Sequence, residues 1–475
     1  MNDHRESRRP SRPQRGRPAP RKQGPRRPPE VDPARQAAFD VLAAVRTKDA
    51  YANLVLPDLL RERRITGRDA ALATELAYGA SRAQGLLDAI IESCAERPLS
   101  KTDPAVLDAL RLGVYQLLRT RIPEHAAVTS TVDLVRAEGG SWATGFANAI
   151  LRKVSEKDEA AWLDELAPDE AADPIGAYAL RTAHPRWIAR SFAEALGDKG
   201  AELKAALEAD DARPEVHLVA RPGEISADEL AAITGGDPAP YSPYGVRLPA
   251  GAGDPADAEP VRERLAAVQD EGSQLCAIAA TKVPLDGTDE RWLDLCAGPG
   301  GKAALLGALA ALSGARVDAV EKAPHRAKLV EKATTGLPVT VHVADGRESG
   351  LEPGYDRILV DAPCSGLGAL RRRPEARWRR QPSDVADLTR LQGELITAAY
   401  DLLRPGGALT YVVCSPHLAE TEGVFTETAR RLKAEVLDTR EFFPGVPQLG
   451  NGPYVQLWPH RHGTDAMFCA VLRKS

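Results

Sequence analysis

The stretch "RWLDLCAGPGGKAALLGALAAL" constrains the chain more than any other. An apolar run reads as a buried strand, a glycine-rich turn stops it, and a small-residue apolar run reads as a helix. The same rhythm recurs downstream. "RVDAV" ends at Glu321, "VTVHVAD" at Asp345, "YDRILVDAP" passes through Asp361, and "ALTYVVCS" ends around Cys414. Alternating strands and helices predict a mostly parallel, doubly wound α/β sheet. Ligands of such sheets bind beyond the C-terminal strand ends. Asp294, Glu321, Asp345, Asp361 and Cys414 are therefore expected on one rim.

The glycine-rich turn holds Gly298, Gly300 and Gly301. Glycine allows a tight turn and close approach of backbone to ligand. A dinucleotide fingerprint would need G-x-G-x-x-G, whereas here Gly301 directly follows Gly300 and position 303 is Ala303. Glu321 suits a carboxylate that accepts from ribose hydroxyls.

A chain of 475 residues exceeds one ordinary core. Residues 1–32 are Arg/Pro-rich and are expected to be a disordered basic tail. Residues 1–30 hold ten Lys/Arg against three Asp/Glu, so a net of −5 for the whole leaves −12 on the remainder. A basic arm on an acidic body is compatible with nucleic-acid contact. Residues 33–155 read as an all-α domain. In "KTDPAVLDALRLGVYQLLRT", Asp103 is a candidate N-cap, Pro104 suits the first helical position, and Leu107, Leu110, Val114, Leu117 and Leu118 share a face. Residues 156–265 read as a connecting α+β segment, and 266–475 as the doubly wound domain. No apolar run reaches ~18 residues, so no membrane span is expected. No secretory leader is expected either, which makes the cytoplasm the default.

The six cysteines are Cys94, Cys276, Cys296, Cys364, Cys414 and Cys469. None is spaced C-x-x-C, so no metal site is expected. Cys94, Cys276 and Cys469 read as core, and Cys296 as a wall of the turn.

"DLCAGPGGKA", "VDAPCSGLGALRRRPEARWRR" and "VVCSPHLAETEG" resemble the RsmB/NSUN (Sun/Fmu) family of RNA cytosine-C5 methyltransferases. "VQDEGSQL" and "GTDAMFCAVL" are similar to its flanking motifs. "RDAALATELAYG" and "IPEHAAVTSTVDLVR" resemble the NusB-like RNA-binding domain of the RsmB branch. The resemblance implies a Rossmann-like class I methyltransferase domain using S-adenosylmethionine. It implies cofactor contacts at Cys296, Ala297, Gly298, Pro299, Gly300, Gly301, Lys302, Glu321, Asp345 and Asp361. It implies Cys414 as nucleophile, Cys364 in product release and Asp361 as a catalytic carboxyl. The implied partner is RNA, 16S ribosomal RNA by family branch, with no obligate protein partner. Val413 stands where the family usually has Thr, Gly298 where it often has Ala, and "DAMF" where "DGFF" is commoner.

The chemistry fits these residue types. Cytosine C5 is a poor nucleophile until a thiolate adds to C6, and a thiolate both attacks and leaves readily. Asp361 would need to donate toward N3. The run Arg371–Arg380, with Trp378, suggests phosphate pairing and base stacking. Two rivals are a DNA cytosine-C5 methyltransferase using Cys364 and a non-catalytic RNA-binding assembly factor.

Overall fold

The computed structural model describes residues 31–48 and 50–475. The tail expected over 1–32 lies outside the described residues, apart from Val31 and Asp32. No helix among the described residues is long and apolar enough to cross a membrane.

Six helices form the N-terminal bundle: Pro33–Lys48, Ala52–Glu62, Gly67–Cys94, Pro104–Arg119, Glu124–Glu138 and Thr144–Val154. The Asp103 carboxylate accepts from the Ala105 and Val106 N–H groups and so caps the helix that Pro104 opens. That helix is buried on more than the one expected stripe. Leu110 and Val114 are buried, while Leu107, Leu117 and Leu118 are only half-buried. The reason is position, since the first, third and fifth helices all pack against it.

Four helices follow: Glu159–Leu166, Pro174–Arg181, Arg186–Leu196 and Ala201–Asp211. They lead into a small antiparallel sheet of β1 (His217–Ala220), β2 (Asp237–Pro238), β3 (Gly245–Arg247) and β4 (Ala266–Val268), ordered β2-β3-β1-β4. Its strands thus straddle residue 265. Phe192, Leu203 and Leu207 of the helical segment pack with Leu367 and Leu370, close to the Cys364 turn.

The C-terminal sheet comprises β5 (Arg291–Asp294), β6 (Arg316–Val320), β7 (Val339–His342), β8 (Tyr355–Asp361), β9 (Leu403–Val413), β10 (Glu435–Leu437), β11 (Val455–Gln456) and β12 (Phe468–Arg473). Its order is β10-β12-β9-β8-β5-β6-β7, with β11 on β12. Strands β5 to β9 pair in parallel, and β10 to β12 run antiparallel. The doubly wound expectation therefore holds for the half that carries the rim, and an antiparallel edge completes the sheet.

The basic run is mostly structural, which corrects its reading as an RNA path. Arg377 is wholly buried, and its guanidinium donates to Asp211 at 2.7 Å and lies 3.3 Å from Asp210. Asp210 also bonds His184 at 2.9 Å. Burial and the Arg377 charge push the His184 imidazole below its ordinary value. Arg371 and Arg372 both pair with Asp270 and Asp465. Trp378 sits where a Cβ on Gly85 would come within 2.1 Å of its ring. Arg379 donates to the Ala50 carbonyl at 2.6 Å. The run therefore rivets the helical bundle, the four connecting helices and the large sheet together. Arg373 is exposed, with its guanidinium over the Tyr51 ring. Removing one partner of a buried ion pair strands the other charge. Arg377→Ala is expected to lower unfolding free energy by about 3–5 kcal/mol. Urea denaturation checks this, and a loss below about 1 kcal/mol would reduce the pair to surface strength.

Candidate functional site

The rim is set by strand pairing. Asp361 ends β8 opposite Val412 of β9, so Cys414 emerges beside it, two residues further on. Asp294 ends β5 opposite Leu359 of β8 and Ala319 of β6. The Cys364 turn follows Asp361 directly, and the Gly368 N–H donates to the Cys414 carbonyl at 2.9 Å.

The two thiols meet. Cys364 Sγ lies 3.5 Å from Cys414 Sγ, and both residues are half-buried. Their surroundings are unequal. The hydrogen bond shared with Cys364, aided by the Lys302 and Arg373 charges, holds the Cys414 thiol below its ordinary value against burial and Asp361. The same hydrogen bond, burial and the Glu420 charge drive Cys364 well above. The charges around the pair thus favour a thiolate on Cys414 over one on Cys364.

Lys302 stands in the first turn of the helix Gly301–Ser313, and its Nζ donates to Asp361 Oδ2 at 2.8 Å. Burial opposes its charge, but the Asp361 carboxylate more than offsets this and holds the ammonium above its ordinary range. Lys302 thus puts a cationic donor beside the carboxyl expected to act toward N3.

Glu321 is buried and grips the glycine-rich turn. Its carboxylate accepts from the Gly298 N–H at 3.1 Å and the Ala323 N–H at 2.9 Å. A Cβ on Gly298 would lie 2.2 Å from Glu321 Oε2, so glycine there permits this approach. Gly300 has φ +114°, and the helix starts at Gly301. Ala297 is buried, and its N–H donates to the Val320 carbonyl. Pro299 completes the turn. Burial, then the nearby carboxylates, push the Cys296 thiol well above its ordinary value, which suits an inert wall. Asp345 lies past β7 and is held below the usual carboxylate range, chiefly by its hydrogen bond from Arg347, with Lys322 also pairing to it. The structure thus brings Lys302, Asp361, Cys364 and Cys414 together, with the glycine-rich turn, Glu321 and Asp345 along the same strand ends.

Two features were missed in choosing site residues from sequence. Asp294 was placed on the rim but given no role. Both its carboxylate oxygens are buried with no side-chain hydrogen-bond partner, and only the Cys296 backbone N–H offsets the burial by hydrogen bonding. Glu420 is wholly buried behind the cysteine turns. Its signal was only an acidic pair in "AETEG", and burial cannot be read from an acidic residue in a polar stretch. His417 serves its own loop, with its Nδ1 accepting from the Ala419 N–H.

The residues present fit S-adenosylmethionine. A close-approach turn, a buried acceptor at Glu321 and the buried Asp294 carboxylate are suited to a ligand with ribose hydroxyls and cationic groups. Asp294 also has a consequence for pH. Burial, with Asp361 second, raises its pKa to about 7. An unfolded Asp titrates near ~3.9, so the folded chain binds more protons between the two values and loses stability as pH rises through that window. Asp294→Asn is expected to remove the loss. Its thermal stability relative to the parent should grow from about pH 5 to about pH 8, by on the order of 2–3 kcal/mol, in cofactor-free protein. A pH-independent difference would contradict the assignment.

The family profile for 16S rRNA methyltransferase RsmB/F matches residues 284–473, and that for the NusB family matches 32–156. A Mycobacterium tuberculosis protein named as a methyltransferase is 59% identical over 456 residues, covering 96% of this chain and 99% of that protein. Ribosomal RNA small subunit methyltransferase B of Pseudomonas putida is 34% identical over 417 residues, covering 85% and 91%. The crystal structure of PH0851 superposes with a TM-score of 0.76 at 20% identity, covering 94% of this chain and all of that one, and so shares the fold. Matches of this extent, over both the helical bundle and the sheet that bears the rim, show that the chain belongs to the RsmB/F family and is an S-adenosylmethionine-dependent rRNA methyltransferase.

Proposed function

We propose that the protein methylates carbon 5 of a cytosine in 16S ribosomal RNA through a covalent bond between Cys414 and C6. The observation that carries this reading is the 3.5 Å thiol pair beside the Lys302–Asp361 ion pair. The small-subunit substrate is supported by relatives named ribosomal RNA small subunit methyltransferase B. In this reading the protein works in the cytoplasm, and the NusB-like domain, residues 33–155, binds RNA. The turn Cys296–Lys302, with Glu321, Asp345 and Asp361, holds the cofactor.

S-adenosylmethionine, when bound, supplies an electrophilic methyl group. Cys414 acts first as a thiolate. Its sulfur bonds C6, and the C5=C6 π electrons move into the ring, where the Lys302 ammonium stabilises charge at the N3 edge. C5 is then carbanion-like and takes the methyl. Solvent takes the C5 proton, the C–H electron pair re-forms the C5=C6 double bond as the C6–S bond breaks, and Cys414 leaves with the sulfur electron pair as thiolate. Cys364 acts in this release, and its thiol again donates to the departing sulfur. The target base must stand clear of its stack to reach thiols at a strand end.

Cys414→Ala is expected to cut methyl transfer below roughly one-thousandth of the parent. Undiminished transfer would move the nucleophile to Cys364. Cys364→Ala is expected to accumulate a protein–RNA adduct that survives denaturing electrophoresis. Bisulfite sequencing of 16S rRNA with and without the gene should show one cytosine losing its protection. An unchanged pattern would overturn the substrate.

A further inference from the structure

Glu420 lies in the turn Ala419–Gly423 with no solvent exposure. Its Oε1 accepts from the Ser365 N–H at 2.7 Å and from Gln392 Nε2 at 3.3 Å. Its Oε2 accepts from the hydroxyls of Ser365, at 2.5 Å, and Ser415, at 2.7 Å. The two hydroxyl oxygens are themselves 3.2 Å apart. Ser365 directly follows Cys364, and Ser415 directly follows Cys414. Gln392 also donates to the Pro363 carbonyl at 2.9 Å, and the Tyr411 hydroxyl donates to the Glu420 carbonyl at 2.7 Å. One buried carboxylate therefore binds both cysteine turns from behind. A carboxylate kept in such a place must have its lone pairs filled, and here neutral donors from both turns fill them.

We propose that Glu420 is a positioning residue that ties the Cys364 and Cys414 turns together and keeps the shared proton on Cys364. The tie sets the sulfur–sulfur contact, because each serine it holds is bonded to one of the two cysteines. Its charge makes the pair unequal. Glu420 takes two hydrogen bonds from Ser365, next to Cys364, and one from Ser415, so its charge bears more on Cys364 and disfavours a thiolate there. Lys302 and Arg373 favour the thiolate on Cys414, while Asp361, which Lys302 partly neutralises, opposes it. Cys364 is thereby left as the donor and Cys414 as the acceptor. A neutral serine–serine bridge alone would fix the spacing but not the direction of the hydrogen bond.

The kinetic meaning of this arrangement rests on Cys414 being the nucleophile, but the thiol asymmetry can be measured without RNA or cofactor. The full-length protein is alkylated with iodoacetamide across a pH series, and each cysteine is followed by peptide mass spectrometry. In the parent, Cys414 should react ahead of Cys364 and titrate at lower pH. Glu420→Gln removes the charge while keeping an oxygen for the Ser365 N–H. The Cys414-to-Cys364 rate ratio is expected to fall about tenfold, the equivalent of one pKa unit, with the Cys364 profile moving to lower pH. If Glu420→Gln does not fold, Ser415→Ala carries the test. It cuts the tie to the Cys414 turn alone, and the ratio should fall at least about threefold. A folded variant with a lower thermal midpoint but an unchanged ratio and pH profile would leave Glu420 a purely structural residue and overturn the proposal. If the ratio collapses as expected while Cys414→Ala still transfers methyl groups, the positioning role stands and the assignment of the nucleophile falls.

Discussion

The parallel ladder between β8 and β9 is the constraint on which the site depends. Its register sets Asp361 against Val412, and everything reactive follows from the next few residues of each strand. A slip of one residue would turn the alternating side chains to the opposite faces of the sheet. Backbone bonds hold the ladder and so fix where each strand ends. β5 on the other flank adds Asp294 and the glycine-rich turn to the same edge. One sheet edge thereby delivers both the thiols and the turn that fits the cofactor.

Electrostatics at that edge are lopsided. Asp294, Glu321, Asp345 and Asp361 crowd it, and the Lys302 ammonium answers Asp361 directly. Arg347 and Lys322 neutralise Asp345, and backbone N–H groups satisfy Glu321. At Asp294 the Lys302 charge and the Cys296 N–H do not offset burial, which with the Asp361 charge lifts its pKa toward neutrality. A buried acid with so little compensation is costly to hold charged.

The arginine run shows why charge in a sequence is an ambiguous signal. Arg371, Arg372 and Arg377 look identical to RNA-facing arginines when only their neighbours in the chain are known. Their partners, Asp270, Asp465, Asp210 and Asp211, lie ~90 to 170 residues away along the chain. The run stitches three parts of the chain beside the cysteine turn. Arg373 alone of this group combines exposure with a charge felt at Cys414. The spacing of the riveting arginines therefore bears on the positioning of the turn that carries Cys364.

By itself the sequence determined the class of fold and the strand ends at which chemistry is found. Period, turn residues and glycines are local properties, so the rim of Asp361 and Cys414, the glycine-rich turn and the capped helix at Asp103 were all legible. The resemblance to a family ordered the cysteines, because a strand-end thiol carries no mark of its role. Only the tertiary structure decided which charges were spent. It paired Lys302 with Asp361, engaged most of the arginine run in ion pairs and backbone contacts, and buried Asp294 away from any side-chain partner. It also brought Glu420 behind both cysteine turns. Ion pairing and burial join residues far apart in the chain, and no pattern along the sequence encodes which distant donor a buried carboxylate will meet.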